Sequence, residues 1–305
     1  MTQKILMIAA IVLVIVLIAV VLWLPSLSMG GKRHQIGEVK EWQARRYDVS
    51  FYDELEKTNY TVTADDGYVL HAELLKNPKP SDKYVIISHG YTDNRMGDLK
   101  YAKMYLDLGF NCIIYDLRGH GENEKTFTTY GIREGKDLDT IIEDTRKRYP
   151  DISEVGLHGE SLGAATTITC LKYKPDIDFA VADCGFAEIE SVLRGVYKQV
   201  HAPSFLVDVT DIGARLRYHY SIKDMRPIDS LDDNEVPILF IHGSADVLID
   251  PQHSYDMAER TKGRSEVHII KGAQHAGSMF KAPEEYRAIV KDFLESLDKK
   301  EGAEQ

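Results

Sequence analysis

The stretch "EVGLHGESLGAATTITCLK" (Glu154–Lys172) decides the fold. An apolar run of strand length enters Gly159-Glu160-Ser161-Leu162-Gly163 and turns at once into a helical pattern reaching about Tyr173. Two glycines around one hydroxyl permit a turn too tight for side chains, which is a poor choice for stability alone. The pattern G-x-S-x-G between strand and helix presents a serine oxygen above a sheet. The helix also points its first amides at that place, where they favour developing negative charge.

Outward from this corner the chain alternates. "KYVIISHG" (83–90) and "FNCIIYD" (110–116) are apolar runs of strand length, each followed by a helical pattern, at about 97–108 and 132–149. "FAVADCG", "VPILFIHG" and "SEVHIIKG" supply three more strands, and helices are expected at about 252–261 and 284–297. Before them, "NYTVTA" and "YVLHAELL" flank Asp65-Asp66-Gly67 as a strand pair around a short turn. Continuously apolar strands alternating with amphipathic helices predict an α/β fold: a mostly parallel central sheet flanked by helices on both faces. The rhythm breaks between Phe186 and Pro227, where only helical-looking segments occur. An insertion of that size is not a bare loop, and a helical cap at about 187–227 is expected. Within it Leu193, Val196, Tyr197, Phe205 and Leu206 either wall an acyl pocket or pack on the main domain.

In open α/β sheets ligands bind beyond the carboxyl ends of the strands. Ser161 is there, Asp246 follows the strand ending at Gly243, and His275 follows the strand ending near Lys271. A serine nucleophile needs a base and a group to orient it, and the order Ser161, Asp246, His275 is the one this fold uses. The oxyanion donors are expected to be the backbone amides of Leu162, directly after the serine, and Tyr91, in the turn His89-Gly90-Tyr91. Asp250 and Asp183 rival Asp246, but Asp250 is better read as capping the helix after Pro251. His242 and His253 rival His275; the first reads as packed and the second as helical. His89 and His158 read as hydrogen-bonded neighbours of the site.

The motifs "SHGYTDN", "YDLRGHGEN", "GLHGESLGA", "FIHGSADVLIDP" and "GAQHAGS" stand in the order of an α/β-hydrolase. From about Tyr60 to Leu297 the chain resembles serine esterases of that superfamily, with the membrane-anchored BEM46-like and monoacylglycerol-lipase-like groups most similar. The resemblance implies a carboxylic ester hydrolase working through an acyl-enzyme, with no metal or organic cofactor. It also implies that "RGHG" (118–121) is a structural turn and His120 a hydrogen-bonded structural residue. An acyltransferase or peptidase using the same three residues, or an anchored binding protein, are the alternatives.

At 305 residues with 44% hydrophobic and 28% charged residues the composition is globular, and a formal net charge of -11 excludes nucleic acid as the main partner. Cys112, Cys170 and Cys184 lack metal-ligand spacing and read as packed thiols. "KILMIAAIVLVIVLIAVVLWLP" (Lys4–Pro25) carries no charge after Lys4 and ends near an interfacial Trp23. Its length matches the ~30 Å hydrocarbon core and exceeds an ordinary signal-peptide core. An uncleaved membrane anchor at 1–25 is expected, with cleavage near Ser26–Ser28 as the alternative. A polar linker should follow at 26–53, then the hydrolase domain at 54–298 and a polar tail at 299–305. Lys32, Arg33 and Lys40 after the span favour a cytoplasmic domain. Large domains translocate regardless of charge, however, and an extracytoplasmic domain acting on a small-molecule or lipid-like ester is the expectation.

Overall fold

The computed structural model describes residues 2–30 and 33–301, the side chains of 298–301 excepted. In chain order the first elements are α1 (Thr2–Trp23), α2 (Pro25–Met29), α3 (Ile36–Ala44), α4 (Ser50–Glu54), β1 (Lys57–Thr63), β2 (Val69–Leu75) and β3 (Lys83–Ser88). They continue with α5 (Leu99–Asp107), β4 (Asn111–Tyr115), α6 (Ile132–Arg148), β5 (Glu154–Glu160), α7 (Leu162–Cys170) and β6 (Phe179–Asp183). The cap helices α8 (Ile189–Gln199) and α9 (Phe205–Tyr218) follow. The chain closes with β7 (Ile238–Gly243), α10 (Gln252–Arg260), β8 (Ser265–Ile270), α11 (Ser278–Lys281) and α12 (Pro283–Glu301).

The strands form one sheet in the order β1-β2-β4-β3-β5-β6-β7-β8. β1 and β2 are antiparallel to their neighbours, and β3 to β8 run parallel. Parallel strands are apolar on both faces, as β3 illustrates. Ile86 enters the core shared with α6 and α7, while Val85 and Ile87 enter the opposite core shared with α5 and α12. Each such fully buried aliphatic contributes about 1.5–3 kcal/mol. The chain leaves β3 towards β4 on one side and later returns to β5 on the other. The strand order therefore reverses at β3/β5, the place where such sheets open a crevice.

The stretch expected to be a linker is largely helical. Val39 and Gln43 of α3 are buried, and Gln43 donates to the Gly97 carbonyl. Its apolar positions are too few to announce a helix, yet they suffice to dock one on the second core. α1 is long and apolar enough to cross a membrane, and its side chains are exposed along nearly its whole length. Lys32 and residues 302–305 of the expected tail lie outside the described residues, and α12 runs through Glu301.

Candidate active site

The corner after β5 is as tight as its glycines require. A Cβ on Gly159 would lie 2.1 Å from the Gly163 carbonyl oxygen, and one on Gly163 would lie 1.8 Å from that of Ser88. The first turn of α7 can therefore sit directly on the ends of β5 and β3. Ser161 itself has φ 56° and ψ -111°, a conformation L-residues rarely hold. Its amide donates to the Asp183 carbonyl at 2.8 Å, which ties the strained residue to β6. Strain of this kind costs on the order of 1–3 kcal/mol and persists only where the surroundings over-determine it.

Three strand ends bring Ser161, His275 and Asp246 together. His275 Nε2 stands 2.9 Å from Ser161 Oγ, and His275 Nδ1 stands 2.7 Å from Asp246 Oδ2. The carboxylate only accepts, so Nδ1–H donates to it and Nε2 is left to accept from the serine hydroxyl. Asp246 Oδ1 accepts the amides of Leu248 and Ile249, each at 2.9 Å. Burial alone would raise this carboxyl. Bonds from His242 and His275, with the Ile249 amide, outweigh it and hold Asp246 well below the usual carboxylate range.

His242 belongs to the site more closely than its sequence position announced. Its Nε2 lies 3.2 Å from Asp246 Oδ2 and 3.0 Å from the Ile249 carbonyl, while Nδ1 meets Ser254 Oγ at 2.8 Å. The signal was its spacing, four residues before the acid across the turn after β7. Glu160, the variable residue before the serine, was also missed. It lies beneath the corner, 2.5 Å from Lys100 Nζ and accepting from the Tyr101 hydroxyl at 2.6 Å.

The rivals fall elsewhere. Asp183 accepts from Tyr101 Oη at 2.9 Å on the buried side of the corner, and Asp250 accepts the Gln252 amide at the start of α10. His253 accepts the Ala187 amide. His89 is buried between the Gly90 carbonyl and the Leu117 amide, and His158 between the hydroxyls of Tyr105 and Tyr286. Burial pushes His89 down to about 4 and His158 to about 3, so both are neutral at pH 7. In the "RGHG" turn Arg118 pairs with Asp137 and Asp66, and His120 is buried against Arg33.

Above Ser161 opens a cavity of about 480 Å³, within the size range of small-molecule pockets. Tyr91, Ser161 and Leu162 line it together, and Leu162, as the first residue of α7, has no carbonyl a turn back for its amide. Gly90 sits beside Ser161, whose Cβ would lie 3.7 Å from a Cβ added there. Of the cap side chains that were to wall a pocket or pack on the main domain, Leu193, Val196, Tyr197 and Leu206 line the cavity. Phe205 does not: it lies at the start of α9 on the outer surface. Among the described residues one group of possible metal ligands occurs here, Cys184, Asp246 and His275, with donor atoms within 4.8 Å of one another. Burial holds the Cys184 thiol well above its ordinary value, and a protonated thiol is a poor ligand.

A strained serine at a strand-to-helix corner, on a sheet of this order, defines a hydrolase of the α/β type. The family model of the prolyl oligopeptidase family matches residues 98–300, and the chain belongs to that family. The Bacillus subtilis (strain 168) protein YqkD is 31% identical over 256 residues, covering 81% of this chain and 82% of its own. The human alpha/beta hydrolase domain-containing protein 17C is 25% identical over 209 residues, covering 64% of this chain and 54% of its own. Among solved structures, the Pyrococcus furiosus esterase Pf2001 superposes with a TM-score of 0.67 at 26% identity, over 80% of this chain and 92% of that one.

Proposed function

We propose that the protein is a serine esterase that cleaves carboxylic esters through an acyl-enzyme. His275 Nε2 takes the proton of Ser161 as Oγ attacks the ester carbonyl carbon. The oxyanion rests on the amides of Tyr91 and Leu162. His275 returns the proton to the departing alcohol oxygen as the C–O bond breaks. Water then enters, gives a proton to the same nitrogen and attacks the acyl carbon; Ser161 leaves with that proton and the acid is released. Asp246 holds Nδ1–H in place and stabilises the imidazolium, and His242 holds Asp246.

What carries this reading is the unbroken relay of 2.9 and 2.7 Å from Ser161 to Asp246, opening on a cavity with apolar walls. An esterase among the similar structures supports the same substrate class. Residues 1–25 would anchor the protein, with 54–298 as the hydrolase domain, its cap at about 187–227, and the domain outside the cytoplasm.

Ser161→Ala is expected to lower hydrolysis of p-nitrophenyl esters by at least about a thousandfold. It should also abolish labelling by a fluorophosphonate and leave the melting temperature nearly unchanged. Near-full turnover in this variant would refute the assignment. Turnover of peptides in place of esters by the unsubstituted protein would move it to the peptidase reading.

A further inference from the structure

Part of the cavity wall is built by the chain that leaves α1. Leu24, Leu27 and Ser28 line the same space as Ser161. This wall is fixed in place. Leu24, Pro25 and Met29 are buried, and the Ser28 carbonyl accepts the hydroxyls of both Tyr91, at 2.8 Å, and Tyr130. The Met29 carbonyl accepts the Thr128 amide at 2.8 Å. The last turn of α1 also lies hard against α9. A Cβ on Gly213 would be 2.0 Å from the Val21 carbonyl oxygen, and Arg217 donates to the Leu22 carbonyl at 3.0 Å.

The outside of the same helix is apolar. Phe205, Ile212 and Leu216 of α9 are exposed, and at 100° per residue they fall in one stripe about 40° wide. That stripe sits beside the face carrying Gly213 and Arg217, which packs on α1. The rim of the cavity is apolar as well, since Leu27, Val200 and Leu248 line the space and reach the surface. A helix of 22 residues spans about 33 Å, so its last turn emerges where hydrocarbon gives way to headgroups. Exposed Trp23 marks that level. An apolar stripe and an apolar mouth fixed at this height meet acyl chains instead of water.

We propose that the end of the anchor is a permanent wall of the acyl pocket and that the α9 stripe and the mouth sit in the outermost acyl layer of the bilayer. The substrate is then a lipid ester with a long acyl chain, entering sideways from the leaflet that holds the protein. The proposal rests on the ester-hydrolase reading above. It requires that the mature chain keep its first thirty residues, because a cut near Ser28 would remove the wall.

The test uses the full chain in phosphatidylcholine vesicles, with two probes: 1-oleoylglycerol in the bilayer and p-nitrophenyl acetate in water. The triple substitution Phe205→Ser, Ile212→Ser, Leu216→Ser replaces no residue that lines the cavity. It is expected to lower oleoylglycerol turnover about tenfold while p-nitrophenyl acetate turnover stays the same. Intact mass of the membrane-extracted protein should include residues 1–30. A second variant, Ile212→Cys carrying an environment-sensitive fluorophore, should shift to the blue on vesicles; the native thiols are buried and do not compete for label. Unchanged oleoylglycerol turnover with intact acetate turnover, a mature chain beginning after Ser28, or an unshifted fluorophore overturns lateral entry alone. Absence of acetate turnover together with absence of fluorophosphonate labelling in the unsubstituted protein overturns the ester-hydrolase reading and this proposal with it.

Discussion

At the scale of single residues, the site depends on groups that hold other groups. Asp246 is buried, and a buried carboxylate stays charged only when donors surround it. His242 is one of those donors and also spans Ser254 and Ile249. His242→Ala strips a bond from Asp246 and leaves Ser254 and the Ile249 carbonyl short of partners. The variant is expected to lose about 2–4 kcal/mol of stability in urea unfolding, and kcat/KM should fall about ten- to hundredfold with little change in KM. A loss of stability with kcat/KM intact would make His242 structural only. Gly163 shows the same dependence in backbone form: α7 can start where it does only because no side chain stands between it and the Ser88 carbonyl.

At the scale of elements, the cap is two helices laid over the strand ends, and its inner residues are also cavity wall. α8 turns Val192 and Leu193 inward while its other side faces solvent. Gly195 lies within this helix, and a Cβ there would meet nothing within 4 Å. Glycine in a helix interior costs roughly 0.5–1 kcal/mol against alanine, chiefly through the freedom of the unfolded chain. Gly195→Ala is therefore expected to raise stability by about that amount with ester turnover unchanged, read by urea unfolding and steady-state rates. A destabilised variant would mean that the added methyl group is not accommodated in the folded cap. The three helices between α1 and β1 act at this scale too. α2 closes one side of the cavity and α3 covers the second core, so the chain between α1 and the sheet joins both the site and the core.

At the scale of the whole molecule, a buried acidic cluster beneath the Ser161 corner couples stability to pH. Burial first, then the charge of Glu160, pushes Asp183 up to about 6; Asp93 is raised to about 6 by the same causes, and Asp98 is raised as well. Burial would lower the Lys100 ammonium, but Glu160 raises it and it stays charged among them. Tyr101 donates to one oxygen of Asp183, and Tyr286 is packed close to the same carboxyl. The native state thus holds protons between about pH 4 and 6 that the unfolded chain, with ordinary carboxyls, has released. The contribution of Asp183 is therefore complete below the ordinary carboxylate value and is lost as pH rises through about 6. Asp246 has the opposite sign: its contribution is present above the ordinary value and lost as pH falls. The buried neutral His89 and His158 also favour higher pH, so the readout is a difference between variants. On going from about pH 7.5 to 5.5, Asp183→Asn is expected to lose more melting temperature, or gain less, than the unsubstituted protein in calorimetry. Equal shifts would remove Asp183 from the account.

The sheet, its helices and the meeting of Ser161, His275 and Asp246 at neighbouring strand ends were legible in the chain because each is written locally. Strand periodicity, a glycine-flanked serine and polar residues just past apolar runs all lie within a few positions of one another, and strand ends converge by geometry. The sequence by itself thus determined the α/β architecture, the corner at Ser161 and the places of Asp246 and His275. Contacts between distant segments carry no such mark. That His242 supports Asp246, that Lys100 meets Glu160, that Phe205 faces out, and that the end of the apolar leader walls the cavity were decided only in the tertiary structure. Each depends on which faces of separately formed elements are left to bury one another, and that is settled by packing across tens to hundreds of residues.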